Sequence, residues 1–335
     1  MTLMKKTIFL SAVAAAAIAC SGCTGAKAQS DAASAGEKIE TASLPTVYYI
    51  KEINPENLLK IYKALGRKAE GNNVAVKIST GESNKSNHLD PNLIAPLVKE
   101  VKGTIVECNT AYGGNRSATE KHLEAAREHG FTSIAKVDIM DADGEVKIPV
   151  EGGDHLKYDI VGKNFLDYDF LVVLSHFKGH AMGGYGGALK NISIGIASSN
   201  GKAYIHTAGK VESAAELWNN LPEQDAFLES MAEACKGVLD HMGDKVLYIN
   251  VANRLSVDCD CDGDPAEPKM GDIGILASLD PVALDRASVD MVFNSDDPGK
   301  GDLIERINSR HGTHTIEHAE KLGLGSQKYR LVTLE

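Results

Sequence analysis

The most restrictive feature of the sequence is an almost continuous apolar run, DFLVVLS, at residues 169–175. A strand of this kind has no polar face, so other parts of the chain must cover both of its faces. Such strands are typical of parallel sheets that lie between two layers of helices. The run therefore predicts an α/β fold, with a mostly parallel sheet and helices on both faces.

Strand-like and helix-like segments alternate along the rest of the chain, as this fold requires. Asn54, Asp90 and Asp280 each precede a proline, which is typical of a capped helix N-terminus. We predict further strands at residues 46–50, 73–79, 104–107, 246–250 and 273–277. We predict helices at residues 54–65, 90–101 and 117–129, and another that begins at residues 280–281. Together these elements predict one α/β domain at residues 46–335.

The N-terminal residues have the organisation of an export signal. Lys5 and Lys6 precede an apolar stretch at residues 8–19 that is too short to span a bilayer, and an A-x-A cleavage site lies at residues 26–28. A lipoprotein signal that ends at Cys20 fits the same segment, so a lipid-anchored form and a plain secreted form both remain open. We expect a signal peptide at residues 1–28, a flexible tether at residues 29–45, and export to the periplasm or cell envelope.

The formal net charge of −11 limits the partners of the chain. Nucleic-acid binding depends largely on Lys and Arg against phosphate, and the sequence has no basic run and no array of aromatic residues on which bases could stack. We therefore exclude nucleic acid and expect a small-molecule ligand. Contact with a membrane is expected only through an N-terminal lipid anchor.

Polar residues and glycines gather beyond the ends of three predicted strands, at residues 81–82, 109–116 and 176–191. Ligands of open α/β sheets bind beyond the carboxyl ends of the strands, so these segments predict one cleft. We assign catalytic roles to His176, His180 and Lys190, because histidine transfers protons near neutral pH and lysine can hold an anion. The predicted ligand-binding residues are Lys77, Glu82, Asn109, Tyr112, Arg116, Lys178, Gly183, Gly184, Gly186, Gly187 and Asn191. The alternative is a glycine-rich turn with solvated His and Lys side chains.

Two cysteines, Cys259 and Cys261, lie in an acidic segment, DCDCDGD. Thiolates beside carboxylates suit a soft or borderline transition metal, so these cysteines are the predicted metal ligands. Two ligands do not complete a zinc site, and nearby histidines would have to contribute. The alternative is an acidic loop whose thiols are free or bridged. An oxidising compartment also permits a disulfide between Cys108 and Cys235.

Residues 314–318, HTIEH, match the H-x-x-E-H pattern of one class of zinc protease, which places two histidines one helical turn apart. A protease of that class needs a further acidic ligand downstream, and Glu320 has the wrong helical phase to supply it. We therefore interpret the segment as a solvated amphipathic helix.

Five ordered blocks of the sequence resemble the family catalogued as domain of unknown function 362, also described as uncharacterised iron–sulfur centre proteins. The blocks are VAVKISTGE, CNTAYGGNRS, LSHFKGHAMGGYGGALKN, SVDCDCDGDPAEP and DIGILASLDPVALD. Many members have His where this chain has Ser79, and many carry a ferredoxin module where this chain has residues 206–245, with Cys235 alone. We therefore expect no ferredoxin-type iron–sulfur cluster. The cofactor remains unknown, with a transition metal as one candidate.

One block is also similar to the nickel-pincer lactate racemases, because an apolar strand is followed by His and by G-G-x-x-K. That resemblance implies that Lys190 anchors a cofactor and that His176 or His180 acts as a base.

Two functions remain open from the sequence. The first is a metal- or redox-linked enzyme that acts on a small anionic ligand held by Lys178, Lys190 and the glycine amides. The second is a non-catalytic envelope lipoprotein that binds a metal or a small ligand.

Overall fold

An eight-stranded sheet lies at the centre of the computed structural model, which describes residues 44–335. The strands are β1 Thr46–Ile50, β2 Val74–Lys77, β3 Thr104–Glu107, β4 Val137–Ile139, β5 Glu145–Pro149, β6 Tyr158–Gly162, β7 Phe170–His176, β8 Lys178–His180, β9 Gly184–Gly186, β10 Val246–Ala252, β11 Gly274–Ser278 and β12 Arg330–Thr333. The helices are α1 Pro55–Ala64, α2 Pro91–Glu100, α3 Thr119–Glu128, α4 Ala188–Ile192, α5 Ser199–His206, α6 Gln224–Met242, α7 Pro281–Phe293, α8 Gly301–Ser309 and α9 His314–Lys321. Short 3₁₀ helices occur at Phe131–Ser133, Lys163–Asp167, Ala214–Asn219 and Pro298–Lys300. The predicted signal peptide and most of the predicted tether lie outside the described residues.

The strand order of the sheet is β12-β1-β11-β10-β7-β2-β3-β4. The five strands from β10 to β4 run parallel, which confirms the prediction of a mostly parallel α/β sheet. Strand β11 departs from this pattern, because it runs antiparallel to β10 and β1. Residues 253–273 connect β10 to β11 without a helix, and a direct return of this kind places consecutive strands antiparallel.

Strand β7 shows how the sheet is covered on both faces. Leu171 and Val173 pack in the core formed with α4, α6 and α7, whereas Val172 and Leu174 pack in the core formed with α1 and α2. All residues of β7 are buried. Burial of one such side chain stabilises the fold by about 1.5–3 kcal/mol, which accounts for an apolar run with no polar face.

The predicted helix caps are present in the structure. The Asn54 side chain accepts the N–H of Asn57 at 2.8 Å, and the Asp280 side chain accepts the N–H of Ala283 at 2.8 Å. Asp90 caps α2 in the same way. Each capping oxygen satisfies one of the N–H groups that the first helical turn leaves without an intrahelical partner.

Helices α6 and α9 differ from the sequence-based expectations. No pattern in the sequence predicted an element at Gln224–Met242, where the structure has the 19-residue helix α6. Helix α9 packs against α6, and His318 is only 4% exposed. The interpretation of residues 314–318 as a solvated helix is therefore wrong for His318, because α6 covers that face.

Among residues 44–335, no helix is long and apolar enough to span a bilayer.

Asp159 on β6 is a buried carboxyl group with no hydrogen-bond partner for either side-chain oxygen among the described residues. Burial raises its pKa from 3.8 to about 7. The native state therefore keeps this proton between about pH 4 and pH 7, where the unfolded chain has released it, so this residue lowers the stability progressively as the pH rises through that window.

We expect Asp159→Asn to stabilise the protein by an amount on the order of 4 kcal/mol at about pH 8, and by clearly less at about pH 5. Urea unfolding at the two pH values measures the difference. The exposed Asp296→Asn serves as the control, and an equal gain at both pH values would show that Asp159 does not carry a raised pKa.

Candidate functional site

The carboxyl ends of β2, β3 and β7 open onto a cavity of about 740 Å³, which the loop after β10 closes on one side. Most of the predicted site residues line this cavity. They are Lys77, Glu82, Tyr112, Arg116, His176, Lys178, His180, Gly186, Gly187, Lys190, Asn191, Cys259 and Cys261. The position of the cleft therefore follows from the strand ends, as the sequence predicts.

Three of the predicted ligand-binding residues do not line the cavity. Asn109 lies behind it, where its side chain donates to Thr119 Oγ1 at 3.1 Å. The Gly183 N–H donates to Nδ1 of His180 at 2.8 Å, so Gly183 orients a lining residue. Gly184 has φ +79°, and a Cβ atom there would lie 2.9 Å from the Cα of Gly312. Close packing and a left-handed conformation account for glycine at position 184.

A buried ion network forms one wall of the cavity. The Lys77 ammonium lies 3.0 Å from Glu107, and the Arg116 guanidinium lies 3.1 Å from both Glu82 and Glu107. Burial alone would raise the pKa of Glu107, but the charges of Lys77 and Arg116 hold it at about 2. Glu107 was not among the predicted site residues. Its only signal in the sequence is an acidic residue at the last position of a buried strand.

Asp260 organises a second wall of the cavity. Its carboxylate accepts from His176 Nδ1 at 2.8 Å and from Lys178 Nζ at 2.6 Å. Burial alone would raise the pKa of Asp260, but His176 and Lys178 hold it far below its usual range. The other nitrogen of His176 lies 2.6 Å from the carbonyl oxygen of Asn253. Both ring nitrogens of His176 therefore face protein acceptors, and neither is free to take a proton from a ligand.

Lys190 differs from the other lysines of the cavity, because its ammonium has no hydrogen-bond or ion-pair partner among the described residues. Burial, followed by the nearby charges of Lys178, Arg116 and Lys77, lowers its pKa from 10.5 to about 7. Lys202, which also lines the cavity, donates only to the carbonyl oxygen of Ala197 at 2.6 Å.

The carboxylates of the cavity do not neutralise the charges of Lys190 and Lys202. Glu82, Glu107 and Asp260 are already paired with Arg116, Lys77 and Lys178. Two further carboxylates lie at the cavity surface, where Asp258 pairs with Arg306 and Asp262 is exposed. The interior of the cavity therefore has an excess of positive charge within a protein whose net charge is −11.

Two histidines of the cavity have opposite hydrogen-bond roles. Nδ1 of His180 accepts a backbone N–H, so a neutral His180 ring carries its proton on Nε2. Nδ1 of His206 donates to the carbonyl oxygen of Lys202 at 2.6 Å, which leaves the Nε2 lone pair without a partner among the described residues. Burial lowers the pKa of His206 to about 4. Burial and the nearby charge of Lys190 together lower the pKa of His180 well below 6.5. Both rings are therefore neutral at pH 7.

His206 was not predicted, because it is the last residue of α5 and no motif marks it. Its ring stacks on Phe227 with 4.9 Å between the ring centroids, which fixes the direction of Nε2. A buried carboxylate, Asp285, supports the opposite side of the cavity by accepting the N–H groups of Ala188 and Leu189 at 2.8 and 3.0 Å. These bonds hold the start of α4, the helix that carries Lys190.

The structure contains a disulfide between Cys259 and Cys261, one of the alternatives that the sequence left open. Their sulfur atoms and a ring nitrogen of His180 lie within 4.8 Å of one another at the cavity wall. The disulfide considered between Cys108 and Cys235 is not formed. Each of these thiols is buried and donates to a different backbone carbonyl, that of Ile196 for Cys108 and that of Leu189 for Cys235.

These positions predict a difference in thiol reactivity. After reduction of the native protein, we expect an alkylating reagent to modify Cys261, which is partly exposed, faster than Cys108, which lines the cavity but is only 1% exposed, or Cys235, which is fully buried. Burial raises the pKa of both Cys108 and Cys235, which keeps them as unreactive thiols. Peptide mapping by mass spectrometry measures this, with a sample alkylated in urea as the control. Rapid native modification of Cys108 or Cys235 would contradict the structure.

The fold and the site define a class of protein, namely an α/β protein with a positively charged cavity at the carboxyl ends of its parallel strands. The chain belongs to the family described as Domain of unknown function (DUF362), whose profile matches residues 74–290. This match confirms the resemblance of the five sequence blocks. Among curated proteins, a search finds no match to the chain.

Two solved structures are similar to part of the chain. The lactate racemase apoprotein from Thermoanaerobacterium thermosaccharolyticum has 15% sequence identity and a TM-score of 0.42, over 73% of this chain and 56% of its own. A structural-genomics crystal structure of a protein from Thermotoga maritima has 12% identity and a TM-score of 0.37, over 80% of this chain and 58% of its own. The chain therefore matches less than two thirds of the length of either protein.

Proposed function

We propose that the cavity is an active site that binds a small organic anion and transfers a proton to or from it. The observation that carries this proposal is the Lys190 ammonium in the cavity. It has no counter-charge from residues 44–335, because the buried carboxylates around it are already paired. An anionic ligand supplies the missing charge and gains a charge-assisted hydrogen bond. Lys178 is committed to Asp260, so it contributes to the field of the cavity more than to direct contact.

The two neutral histidines supply the proton-transfer groups of the proposal. His206 Nε2 is the base, because its lone pair has no donor among the residues that the structure describes. His180 Nε2 is the donor, because its Nδ1 is occupied by the N–H of Gly183. His176, which the sequence analysis also assigned as catalytic, instead positions Asp260 in this proposal. Both rings are neutral but carry their one proton on different nitrogens, so His206 presents a lone pair and His180 presents an N–H to a bound ligand.

Anion binding is testable with the single tryptophan of the chain, Trp218, which lines the cavity and is 57% exposed. We expect its fluorescence to change saturably with one or more members of a panel of hydroxycarboxylates, dicarboxylates and inorganic phosphate. The Trp218→Phe variant is the control for the signal. If no member of the panel binds to the wild-type protein, the proposal fails.

Proton transfer is tested separately from binding. A carbon acid that binds should exchange its C–H for solvent deuterium in the presence of the protein, as NMR can follow. His206→Asn keeps a donor for the carbonyl oxygen of Lys202 but removes the Nε2 lone pair. This variant should therefore bind the anion without catalysing the exchange of its C–H for deuterium. Binding without exchange by the wild-type protein would favour the alternative, a non-catalytic binding protein of the cell envelope. Export itself remains a prediction from residues 1–28.

A second candidate function is favoured by the cluster of His180, Cys259 and Cys261. Reduced, the two cysteines would supply thiolates beside an imidazole, a ligand set that suits a borderline transition metal and leaves room for a ligand. Oxidised, they form the disulfide that the structure contains, which can accept two electrons. Metal analysis of anaerobically purified protein distinguishes the metal site from the redox disulfide. A transition metal that is lost on Cys259→Ser supports the metal site.

A further inference from the structure

Outside the cavity, α6 and the region of α9 face each other through paired carboxylates and imidazoles. Three acidic residues at intervals of four on α6 meet three histidines at residues 311, 314 and 318. The pairs are Asp225–His311 at 2.7 Å, Glu229–His314 at 3.0 Å and Glu233–His318 at 3.5 Å. The two histidines of the H-x-x-E-H motif thus contact α6, whereas Glu317 is exposed.

The pair of Glu233 and His318 differs from the other two pairs. His318 is 96% buried, and its Nε2 has no hydrogen-bond partner among the described residues although a Glu233 oxygen lies 3.5 Å away. Ligands at about 2.0–2.1 Å from one tetrahedral ion lie about 3.3 Å apart, so the observed spacing suits two ligands of one metal better than a hydrogen bond. A buried, unpartnered ring nitrogen that faces a carboxylate is the arrangement that a cation would complete.

Asp154 supplies a third donor at the same place. Ligand atoms of Asp154, Glu233 and His318 all lie within 4.8 Å of one another. The Asp154 carboxylate is exposed and lies 3.5 Å from Lys321, an exposed ion pair that contributes little to stability. Asp154 can therefore turn towards a metal at little cost, and its exposure provides an entry path.

The surroundings of these three residues hold them as a metal site requires. The Glu233 carboxylate accepts the N–H groups of Asp154, His155 and Leu156 at 2.7–3.2 Å, which fixes its orientation. Nδ1 of His318 lies 3.8 Å from Glu229. At that distance Glu229 contributes its negative charge rather than a hydrogen bond, because its oxygens already pair with His155 at 2.7 Å and His314 at 3.0 Å.

We propose that Asp154, Glu233 and His318 form a site for a zinc-class divalent cation, which joins the loop at residues 153–156 to α6 and α9. One imidazole with two carboxylates favours Zn²⁺ over Mg²⁺ or Ca²⁺, which take oxygen ligands. A metal there would also balance the carboxylates of Glu229 and Glu233. Such a site is separate from the cavity and does not depend on its proposed function.

Equilibrium dialysis of the untagged full chain against zinc sulfate tests this site, in a Cys259→Ser, Cys261→Ser background that removes the cavity thiols. After treatment with a chelator, we expect uptake of one zinc ion per chain. Asp154→Asn should abolish it, and Asp154 is exposed, so this variant should fold normally. Glu229→Gln should weaken the affinity, because it removes a negative charge that lies 3.8 Å from His318.

Asp225→Asn is the matched control, since it removes a carboxylate from the outermost pair and should leave zinc binding unchanged. His318→Gln should also lose the zinc, with circular dichroism as a check on its fold. The proposal is overturned if the parent takes up no zinc, if Asp154→Asn still binds it with unchanged affinity, or if Asp225→Asn loses it.

Discussion

Lys190→Met is expected to stabilise the protein and at the same time to weaken anion binding. The pKa of Lys190 is lowered from 10.5 to about 7 in the native state. Between these two pH values the unfolded chain binds a proton that the native state does not bind. The charged Lys190 therefore lowers the free energy of unfolding by its full amount below about pH 7. This loss disappears as the pH rises towards 10.5. Removal of the ammonium should raise the free energy of unfolding at about pH 6 by an amount on the order of 3 kcal/mol.

The same substitution should reduce the affinity for an anion of the panel by about 10- to 100-fold, the value of a hydrogen bond to a charged group. A gain of stability together with a loss of binding is typical of a residue kept for function. Urea unfolding at about pH 6 and pH 9.5 measures the first effect, and Trp218 fluorescence measures the second. The exposed Lys210→Met is the control. If Lys190→Met destabilises the protein at both pH values, Lys190 has a structural role and is not an uncompensated charge of the cavity.

Glu107→Gln is expected to cause the largest loss of stability. Glu107 is 4% exposed and is the shared counter-charge of Lys77 and Arg116, which are themselves buried. Glutamine retains the size of the side chain and an acceptor for the Thr80 N–H, but it leaves two buried cations with one carboxylate between them. Removal of one partner from a buried ion pair costs about 3–5 kcal/mol.

The pH dependence of this effect has a definite sign. The pKa of Glu107 is lowered from 4.5 to about 2, so its contribution is present above about pH 4.5 and is lost as the pH falls towards 2. The free energies of unfolding of the wild-type protein and Glu107→Gln should therefore differ at neutral pH and converge in acid. Glu124→Gln, which removes an exposed ion pair with Arg127, is the control and should have no measurable effect. A neutral-pH loss no larger than that of the control would contradict the network.

The sequence predicted those parts of the fold that depend on local pattern. The apolar run at residues 169–175 and the caps at Asn54 and Asp280 each act through neighbouring residues, so periodicity and cap chemistry were sufficient. Helix α6 was missed because its buried face includes the polar side chains of Ser230 and Glu233. Their partners are backbone groups at residues 205 and 154–156, which no local pattern reveals.

The sequence predicted which residues come together at the strand ends, but not the contacts that each of them makes there. Strand ends located the cavity, since parallel strands present their carboxyl ends at one edge. The contacts of these residues are long-range: Asp260 pairs with His176 and Lys178, whereas Lys190 has no partner within residues 44–335. His206 reaches the cavity from a helix end with no strand-end signal, and its free Nε2 follows only from its bond to a backbone carbonyl.

Proton uptake on anion binding tests the central claim most directly. Calorimetry at about pH 8 in buffers of different ionisation enthalpy gives the number of protons taken up with each anion. Lys190 is mostly neutral at that pH, and an anion beside it favours the ammonium form, so uptake should approach about one proton. Lys190→Met should bind weakly and take up none. Tight binding with no proton uptake, or uptake that persists in Lys190→Met, would contradict the assignment of Lys190 as the group that holds the anion.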